Sequence, residues 1–390
     1  MAKYKLGDIC EIVSGSTPKT SIDEYWDGDV KWITPAELND DSYIISDSAR
    51  KITELAVKKT GLISFPEGTV ILSSRAPIGK VAIAGCEMYC NQGFKNLICS
   101  DKINNKYLYW FLKGNTHFLN SLGRGATFKE ISKAIVSEIE INIPDIEKQK
   151  KVVEILEKVR GVIVLRKKEL SILDNLIKAR FVELFGDLAN PKCQWKKEKL
   201  VDACKNPDDI KCGPFGTQLS KDEYCSSGVA VWEIPQINSG FATQPTHFLT
   251  DEKANQLEAY SIKSGDIAMS RKGNVGRCAV FPETMEDGII HSDVLRIRID
   301  NDLVLPVFMM HQLHYSGAVQ HQIELVSSGA IMAGINVTKL KQIEVHIPPL
   351  ELQQQFAVFV AEVDKSKVAV QKSLDETQKL FDSLMQQYFG

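Results

Sequence analysis

Two stretches of the chain carry apolar residues at a spacing of seven. Each stretch follows a proline-containing segment and continues for about 36 residues, or about 54 Å at 1.5 Å per residue, with Gly161 as the one helix-weakening residue. A narrow stripe of two apolar positions per heptad is typical of a helix that pairs with another helix. The positions are Leu156, Ile163, Leu170, Ile177 and Leu184 with Val152, Val159 and Leu173 in the first stretch, and Phe356, Val363, Val370 and Leu384 with Val360, Leu374, Phe381 and Tyr388 in the second. The pattern therefore predicts two long, antiparallel coiled-coil helices.

The regions before these stretches have a different pattern. Residues 1–144 and 187–347 contain short β-like runs separated by Gly, Pro and Asn, which is typical of strands joined by turns. The clearest runs are Thr69–Leu72, Lys80–Ala84, Asp266–Met269 and Val294–Ile299. We therefore expect an α+β protein with two similar mixed α/β domains, each with a curved β-sheet and few helices.

The second half of the sequence repeats the first at an offset near 200 residues. Four features recur in the same order: Trp32–Pro35 with Trp232–Pro235, Gly68 and Gly79 with Gly265 and Gly276, Ile139–Pro144 with Ile343–Pro348, and Phe185–Gly186 with Phe389–Gly390. This order favours a tandem duplication. It predicts a globular domain at 1–144, a spacer helix at 145–186, a second domain at 187–347 and a C-terminal helix at 348–390. Antiparallel pairing would give the molecule pseudo-two-fold symmetry, which suits a protein that reads two separated half-sites on a duplex.

Composition narrows the class of protein. The chain has 390 residues, of which 44% are hydrophobic and 25% charged, as in ordinary globular proteins. No apolar run reaches the roughly 18–20 residues of a membrane span, so we expect a cytoplasmic protein without a membrane partner. The nine cysteines include no CxxC pair and suggest neither disulfides nor zinc. Residues 1–144 carry 17 basic and 17 acidic side chains, and residues 187–347 carry 16 and 20. Any affinity for a polyanion must therefore come from a local patch.

Motifs for catalysis are missing from the sequence. It contains no phosphate-binding loop, no nucleophile elbow, no HExxH motif and no glycine-rich methyltransferase loop with its Asn/Asp-Pro-Pro segment. Asp208 and Asp209 abut and do not form the separated pair of a metal-dependent nuclease. His291, His311, His314 and His321 lack a partner at nucleophile spacing. We predict a chain without catalytic, cofactor-binding or metal-binding residues.

The repeated regions instead share polar loops whose chemistry differs between the copies. Loops on a rigid scaffold are common recognition sites, and Arg, Lys, Asn and Gln are the side chains that hydrogen-bond base edges. The loops are 14–19, 73–80, 90–94 and 123–129 in the first copy, and 212–219, 270–277, 291–293 and 328–336 in the second. This pattern favours two related modules that read two different short DNA sequences.

Several of these segments resemble the specificity (S) subunits of type I restriction–modification systems. The resemblance covers essentially the whole chain. It is carried by Lys5–Ile9, Trp32–Pro35, Ser74–Gly79, Cys212–Leu219, and the doubled Ile-x-Ile-Pro followed by Gln149 or Gln353. It implies two target recognition domains, each reading one half of a bipartite double-stranded DNA target, and two helices that dock two methyltransferase (M) subunits.

The resemblance also implies partners, cofactors and binding residues. The full complex would add motor–nuclease (R) subunits and would use S-adenosylmethionine, ATP and Mg²⁺, none of which this chain would bind itself. The family places the polar loops against DNA. The DNA-binding candidates are therefore Arg75, Lys80, Asn91, Gln92, Arg124, Lys129, Arg271, Lys272, Asn274, Arg277 and Asn336.

Two other classes stay open from the sequence. One is the specificity part of another methyltransferase or nuclease system, although the chain has no room for a catalytic domain of about 200 residues. The other is a structural adaptor that binds protein and no nucleic acid. Duplicated loops of divergent chemistry suit two different ligands better than a single scaffold role.

Overall fold

The computed structural model describes residues 2–75, 77–125, 129–190, 192–327 and 334–390. The chain forms two compact units. Unit 1 consists of Met1–Lys168 with Gln371–Gly390, and unit 2 consists of Glu169–Val370. Each unit therefore contains one sheet-rich region together with part of each long helix.

The first half of the chain alternates short strands and short helices before one long helix. The strands are β1 (Ala2–Lys5), β2 (Cys10–Ser14), β3 (Trp26–Ile33), β4 (Ile44–Ile45), β5 (Arg50–Ile52), β6 (Val70–Leu72), β7 (Val81–Ala84), β8 (Tyr89–Cys90), β9 (Lys95–Cys99) and β10 (Glu140–Ile143). The helices are α1 (Leu6–Ile9), α2 (Glu54–Thr60), α3 (Asn105–Gly114), α4 (Thr116–Ser121), α5 (Lys133–Ser137) and α6 (Ile146–Phe185).

The second half repeats this order. Its strands are β11 (Lys196–Lys199), β12 (Ile210–Cys212), β13 (Val229–Trp232), β14 (His247–Leu249), β15 (Ser261–Ile262), β16 (Ile267–Ser270), β17 (Cys278–Val280), β18 (Gly288–Ile290), β19 (Val294–Ile297) and β20 (Glu344–Ile347). Its helices are α7 (Ile234–Asn238), α8 (Asp251–Gln256), α9 (Pro306–Tyr315), α10 (Gly317–Ser327), α11 (Val337–Lys341) and α12 (Leu350–Phe389).

The sheets of the two units have the same topology. Unit 1 has strand orders β2-β9-β6-β7-β4, β5-β3-β8 and β1-β10, and unit 2 has β12-β19-β16-β17, β14-β13-β18-β15 and β11-β20. Apart from the edge strands β4 and β15, every strand has a counterpart. Trp32 and Trp232 occupy equivalent positions: Trp32 pairs with Tyr89 in the parallel pair β3/β8, and Trp232 pairs with Ile290 in the parallel pair β13/β18. The duplication inferred from the sequence is therefore confirmed in three dimensions.

The repeated glycines adopt the same backbone conformation in both units. Gly68 and Gly265 have φ values of 85° and 86°, and Gly79 and Gly276 have 89° and 85°. These values lie in the left-handed region, which glycine enters without the steric cost of a Cβ. In each copy the first glycine precedes the first strand of the β6–β7 or β16–β17 hairpin, and the second lies in the connection between its two strands.

The two long helices confirm the heptad pattern. Both α6 and α12 have 40 residues, and no predicted seam residue is exposed. In unit 1, the ring centre of Phe381 of α12 lies 5.4 Å from that of Trp110, and both residues pack in the same core as Leu156 of α6. In unit 2, Phe356 of α12 lies 5.5 Å from Phe181 of α6. Because the start of each helix lies beside the end of the other, the pairing is antiparallel.

Short helices are more numerous than the sequence pattern predicts, and this expectation was wrong. The described part of the chain has ten of them, α1–α5 and α7–α11. Several begin at a side-chain cap that accepts a backbone N–H, as Asn104, Ser132 and Thr250 do. A capped helix of five to ten residues spans too few turns to produce a clear apolar period. Among the described helices, none combines the length and apolar character that a bilayer crossing requires.

Candidate nucleic-acid interface

Backbone hydrogen bonds join three loops of unit 1 at Ser73 and Ser74. The Ser73 N–H donates to the Lys80 carbonyl at 2.9 Å and closes the β6–β7 hairpin. The Ser74 N–H donates to the Gly93 carbonyl at 2.7 Å, and the Ser74 carbonyl accepts from the Ile131 N–H at 2.9 Å. The hairpin, the loop before β9 and the segment before α5 therefore form one surface.

The same frame recurs in unit 2. The Ser270 N–H donates to the Arg277 carbonyl at 2.7 Å, and the Arg271 N–H donates to the Asp293 carbonyl at 2.9 Å. The Arg271 carbonyl accepts from the Ile335 N–H at 3.2 Å. These matched bonds place Arg271 at the position of Ser74 in unit 1. It follows that Lys272, and not Arg271, is the structural counterpart of Arg75.

A fourth loop in each unit depends on a glycine at a close backbone contact. A Cβ on Gly15 would lie 2.0 Å from the Cys90 carbonyl oxygen, and one on Gly213 would lie 2.3 Å from the His291 carbonyl oxygen. No other residue fits these positions without moving the loop. The close approach brings loops 14–19 and 212–219 onto the surfaces described above.

Arg75 belongs to a charged cluster that bridges two of these loops. Its Nε lies 2.9 Å from Oε2 of Glu130, and the Lys95 Nζ lies 3.3 Å from Oε1 of the same carboxylate. We call Arg75, Lys95 and Glu130 the Glu130 cluster. The ion pair to Arg75 uses Nε, so both terminal amino groups of the guanidinium lie outside it. The side chain of Arg75 is 44% exposed.

Lys95 is the buried member of the Glu130 cluster. Its side chain is 9% exposed, and its Nζ also donates to the Ser74 hydroxyl at 3.3 Å and to the Phe94 carbonyl at 3.4 Å. Burial by itself would raise the pKa of the Glu130 carboxyl, but hydrogen bonds from Arg75 and Lys95 hold that pKa below its usual value. The cluster therefore carries two positive charges and one negative charge.

The other unit 1 candidates lie around this cluster. Lys80 donates from Nζ to the Leu38 carbonyl, and the Asn91 side-chain oxygen accepts from the Gly93 N–H at 2.9 Å. Gln92 accepts from the Thr17 hydroxyl on loop 14–19. The side chains of Lys80 and Asn91 therefore stabilise the loops on which they lie through hydrogen bonds to backbone groups.

Arg124 and Lys129 are the exposed candidates of unit 1. Arg124 is exposed and exchanges two backbone hydrogen bonds with Glu130, each 3.0 Å long, which places its backbone beside the Glu130 cluster. Lys129 precedes Glu130 in the chain and is also exposed. The structure therefore brings Arg75, Arg124 and Lys129 together at one end of the sheet.

Arg271 is fixed by neutral groups in unit 2. Its Nε donates to the Ile335 carbonyl at 3.1 Å, and its terminal nitrogen donates to the Ser292 carbonyl at 3.2 Å. Its guanidinium carbon lies 4.7 Å from the ring centre of Phe215, which is 48% exposed. Arg271 therefore ties three loops together next to an exposed aromatic ring.

The remaining unit 2 candidates have varied surroundings. Lys272 pairs with Asp293, with 2.7 Å between Nζ and Oδ1. Arg277 is exposed and donates to the Asn238 carbonyl at 3.0 Å. Asn274 is exposed in the hairpin turn, and Asn336 caps α11 by accepting the Lys339 N–H at 2.8 Å. The Asn336 side-chain oxygen is therefore used to stabilise the start of α11.

Reasoning from the sequence missed the acidic and buried members of these surfaces. Glu130 and Asp293 hold candidate cations, and Lys95 lies beneath one of them. Thr17 and Phe215 lie in the predicted loops 14–19 and 212–219 but were not among the candidate residues. An acid close to a basic loop residue is too common in sequence to identify such a pair. Ala76, residues 126–128 and residues 328–333 of the predicted loops lie outside the described residues, and contact of the eleven candidates with DNA stays a prediction.

The chemistry of these surfaces is that of hydrogen bonding and charge. The described residues contain no group of His, Cys, Asp and Glu that could hold a metal ion. Burial raises the pKa of Cys90 to about 12 and lowers that of His314 to about 4. Nε2 of His314 lies 3.1 Å from the Cys278 backbone nitrogen, whose N–H it accepts, so this histidine supports the fold.

Comparison with known proteins agrees with this architecture. The family model described as "Type I restriction modification DNA specificity domain" matches residues 1–174 and again residues 195–377. The two matches correspond to the two halves of the duplication. Together they include most of the chain.

Relatives match over nearly the whole length. The type I restriction enzyme MjaIX specificity subunit of Methanocaldococcus jannaschii is 28% identical, with 98% of this chain and 90% of that protein covered. The MjaVIII specificity subunit of the same organism is 23% identical over the same shares of both chains. The crystal structure of a type I restriction–modification S subunit from M. genitalium covers 100% of this chain and 96% of its own, with a TM-score of 0.60 at 15% identity. The chain therefore belongs to the type I restriction–modification specificity subunits, which have a recognition role and not a catalytic one.

Proposed function

We propose that unit 1 and unit 2 each read one half of a bipartite DNA target through the loop surfaces described above. The observation that carries this proposal is the matched hydrogen-bond frame around Ser74 and Arg271, on which the two units place different side chains. A shared frame positions the loops equally well for any sequence. The different side chains then allow each unit to recognise different bases.

The charge of the units supports a division of labour in the complex. Neither 1–144 nor 187–347 has an excess of basic residues. Phosphate contacts supply much of the affinity of DNA-binding proteins, whereas base contacts supply specificity. We therefore propose that two methyltransferase subunits supply phosphate contacts while this chain supplies the base contacts.

Exposed aliphatic side chains on the long helix support docking of these subunits. In unit 1, α6 exposes Ile155, Val162 and Leu165, and in unit 2 it exposes Ile172 and Leu176. They lie at heptad-like spacing on a face other than the buried seam. Repeated exposed apolar residues mark surfaces that bind protein.

The wider assembly follows the same proposal. The complete cytoplasmic complex would include motor–nuclease subunits and would use S-adenosylmethionine, ATP and Mg²⁺ on the partner subunits. This chain would recognise the DNA target and provide the surface on which the methyltransferase subunits dock. Its own residues would perform no chemical step.

Exchange of one unit tests the proposal. Residues 1–144 are replaced by the corresponding segment of a relative, and the chimera is co-expressed with the methyltransferase of this system. Methylome sequencing should then show one half of the methylated sequence changed and the other half retained. The matched control replaces 187–347 and should change the opposite half. If both halves change together, or methylation is lost in both chimeras while the proteins stay folded, independent reading is wrong.

A further inference from the structure

The ion pair between Arg75 and Glu130 has a geometry that fixes the direction of the arginine. Glu130 accepts a hydrogen bond from Nε, and this bond leaves the end of the guanidinium that carries the two terminal amino groups outside the contact. Those two groups are the donors that an arginine uses in parallel to bind O6 and N7 of guanine. An ion pair this exposed contributes little to folding. Its effect on the orientation of Arg75 therefore matters more than its effect on stability.

Glu130 is itself held rigidly. Its backbone exchanges hydrogen bonds of 3.0 Å with Arg124, and its second carboxylate oxygen accepts from the buried Lys95. The Lys95 Nζ also donates to the Ser74 hydroxyl and to the Phe94 carbonyl, so this side chain is anchored to the hairpin frame. The carboxylate is therefore fixed by the fold before any ligand binds.

The corresponding position in unit 2 repeats the principle with other residues. Lys272, the counterpart of Arg75, pairs with Asp293 at 2.7 Å. The acid comes from the loop before β19 in unit 2, whereas Glu130 comes from the segment before α5 in unit 1. Two different loops thus supply a carboxylate to the same cation position.

We propose that Glu130 is a positioning residue for Arg75, which it holds in the orientation that reads a base edge and keeps away from non-cognate phosphates. This inference rests on the proposed function of unit 1 and adds a specificity-determining residue to it. A positively charged side chain without an acidic partner would bind any phosphate it reached. The carboxylate opposes that movement, because swinging Arg75 toward a phosphate breaks its ion pair with Glu130.

The main test is Glu130→Gln in the complex of this chain with its methyltransferase subunits. Methylome sequencing should show that one base position becomes degenerate in the half-site read by unit 1, while the other half-site is unchanged. Discrimination at that position should fall roughly 5- to 150-fold, the equivalent of one bidentate arginine–guanine contact at 1.36 kcal/mol per factor of ten. Affinity for random duplex DNA should rise, with a salt dependence steeper by about one phosphate contact.

Two variants control for the loss of charge and for folding. Glu138→Gln removes the same charge from an exposed pair with Lys5 on the β1–β10 side of unit 1, and it should leave the methylated sequence unchanged. Arg75→Lys leaves the Lys95–Glu130 contact in place and keeps the positive charge, but it lacks the planar pair of donors. It should retain affinity for random DNA and relax the same base position.

The outcomes separate this inference from the function on which it rests. If the unaltered complex methylates no bipartite sequence, the proposed function fails. If it does, and Glu130→Gln and Arg75→Lys both keep full discrimination, only the role of Glu130 is overturned. Equal relaxation by Glu130→Gln and Glu138→Gln would also overturn it, because the effect would then come from net charge.

Discussion

One buried glutamine near the start of each long helix connects that helix to its sheet-rich region. Gln149 accepts the Asn104 N–H at 2.8 Å and donates to the Lys102 and Pro144 carbonyls. Gln353 makes the same three contacts in unit 2, to Leu305, Leu303 and Pro348. Both side chains are fully buried. The repeated motif that identified the helix starts in the sequence is therefore a buried hydrogen-bond junction.

Replacement of Gln353 by leucine should destabilise unit 2. The variant leaves the Leu305 N–H and two carbonyls without their side-chain partner, and each buried group left unpaired costs about 1–3 kcal/mol. The free energy of unfolding in urea measures the effect. Gln354→Leu changes the neighbouring, exposed glutamine and should shift it by less than about 0.5 kcal/mol. Equal losses in the two variants would show that the junction is not responsible.

At the scale of elements, the long helices have two faces with different roles. The buried seam packs into aromatic cores, as Phe181 does against Phe308 and Phe356. A neighbouring face of α6 exposes aliphatic residues to solvent. Adjacent residues Ile177 and Leu176 of α6 represent these faces, with 2% and 45% exposure.

Alanine at these two positions should separate folding from assembly. Ile177→Ala should lower the free energy of unfolding by about 2–5 kcal/mol because it leaves a cavity in the seam. Leu176→Ala should leave stability nearly unchanged and weaken binding of the methyltransferase by about 1 kcal/mol or more. Urea unfolding and titration of the methyltransferase subunit measure the two effects. Unchanged assembly in the Leu176 variant would contradict docking on this face.

For the whole molecule, duplication preserved a frame while surface chemistry and internal polar groups diverged. Unit 2 contains His311, His314 and His346, whose pKa values are lowered, chiefly because burial disfavours the charged imidazole. His314 has a pKa of about 4 against 6.5 for an ordinary histidine. Between these values the unfolded chain binds a proton that the folded chain does not.

Unit 2 should therefore lose stability as the pH falls from about 6.5 to 4. His314 alone accounts for up to about 3 kcal/mol of this loss, because each pKa unit corresponds to 1.36 kcal/mol. His314→Gln retains an acceptor for the Cys278 N–H and should flatten the pH dependence of the urea midpoint. His321→Gln, on an exposed position of α10, should keep the profile of the unaltered chain. A profile that is the same in all three proteins would contradict this account.

The amino-acid sequence alone was enough to predict those features that have a local period or an internal repeat. The heptads of α6 and α12 mark their buried seams because side chains seven positions apart lie on one helix face. The β-like runs located β6, β7, β16 and β19, and the repeated glycines located turns that require positive φ. The short helices were not predicted, because a single capping residue is the main sequence signal that each of them carries.

Only the tertiary structure decided how the polar loops are arranged. Arg75 meets Glu130 across 55 residues of sequence, and Arg271 meets the Ile335 carbonyl across 64. Such pairs form because strand pairing brings distant loops to one sheet end, and a single sequence has no periodic signal for that distance. The sequence could therefore name Arg75 and Arg271 as candidates. The fold decided that Arg75 is oriented by the carboxylate of Glu130 and that Arg271 donates hydrogen bonds to backbone carbonyls. It also decided that Lys272 is the structural counterpart of Arg75.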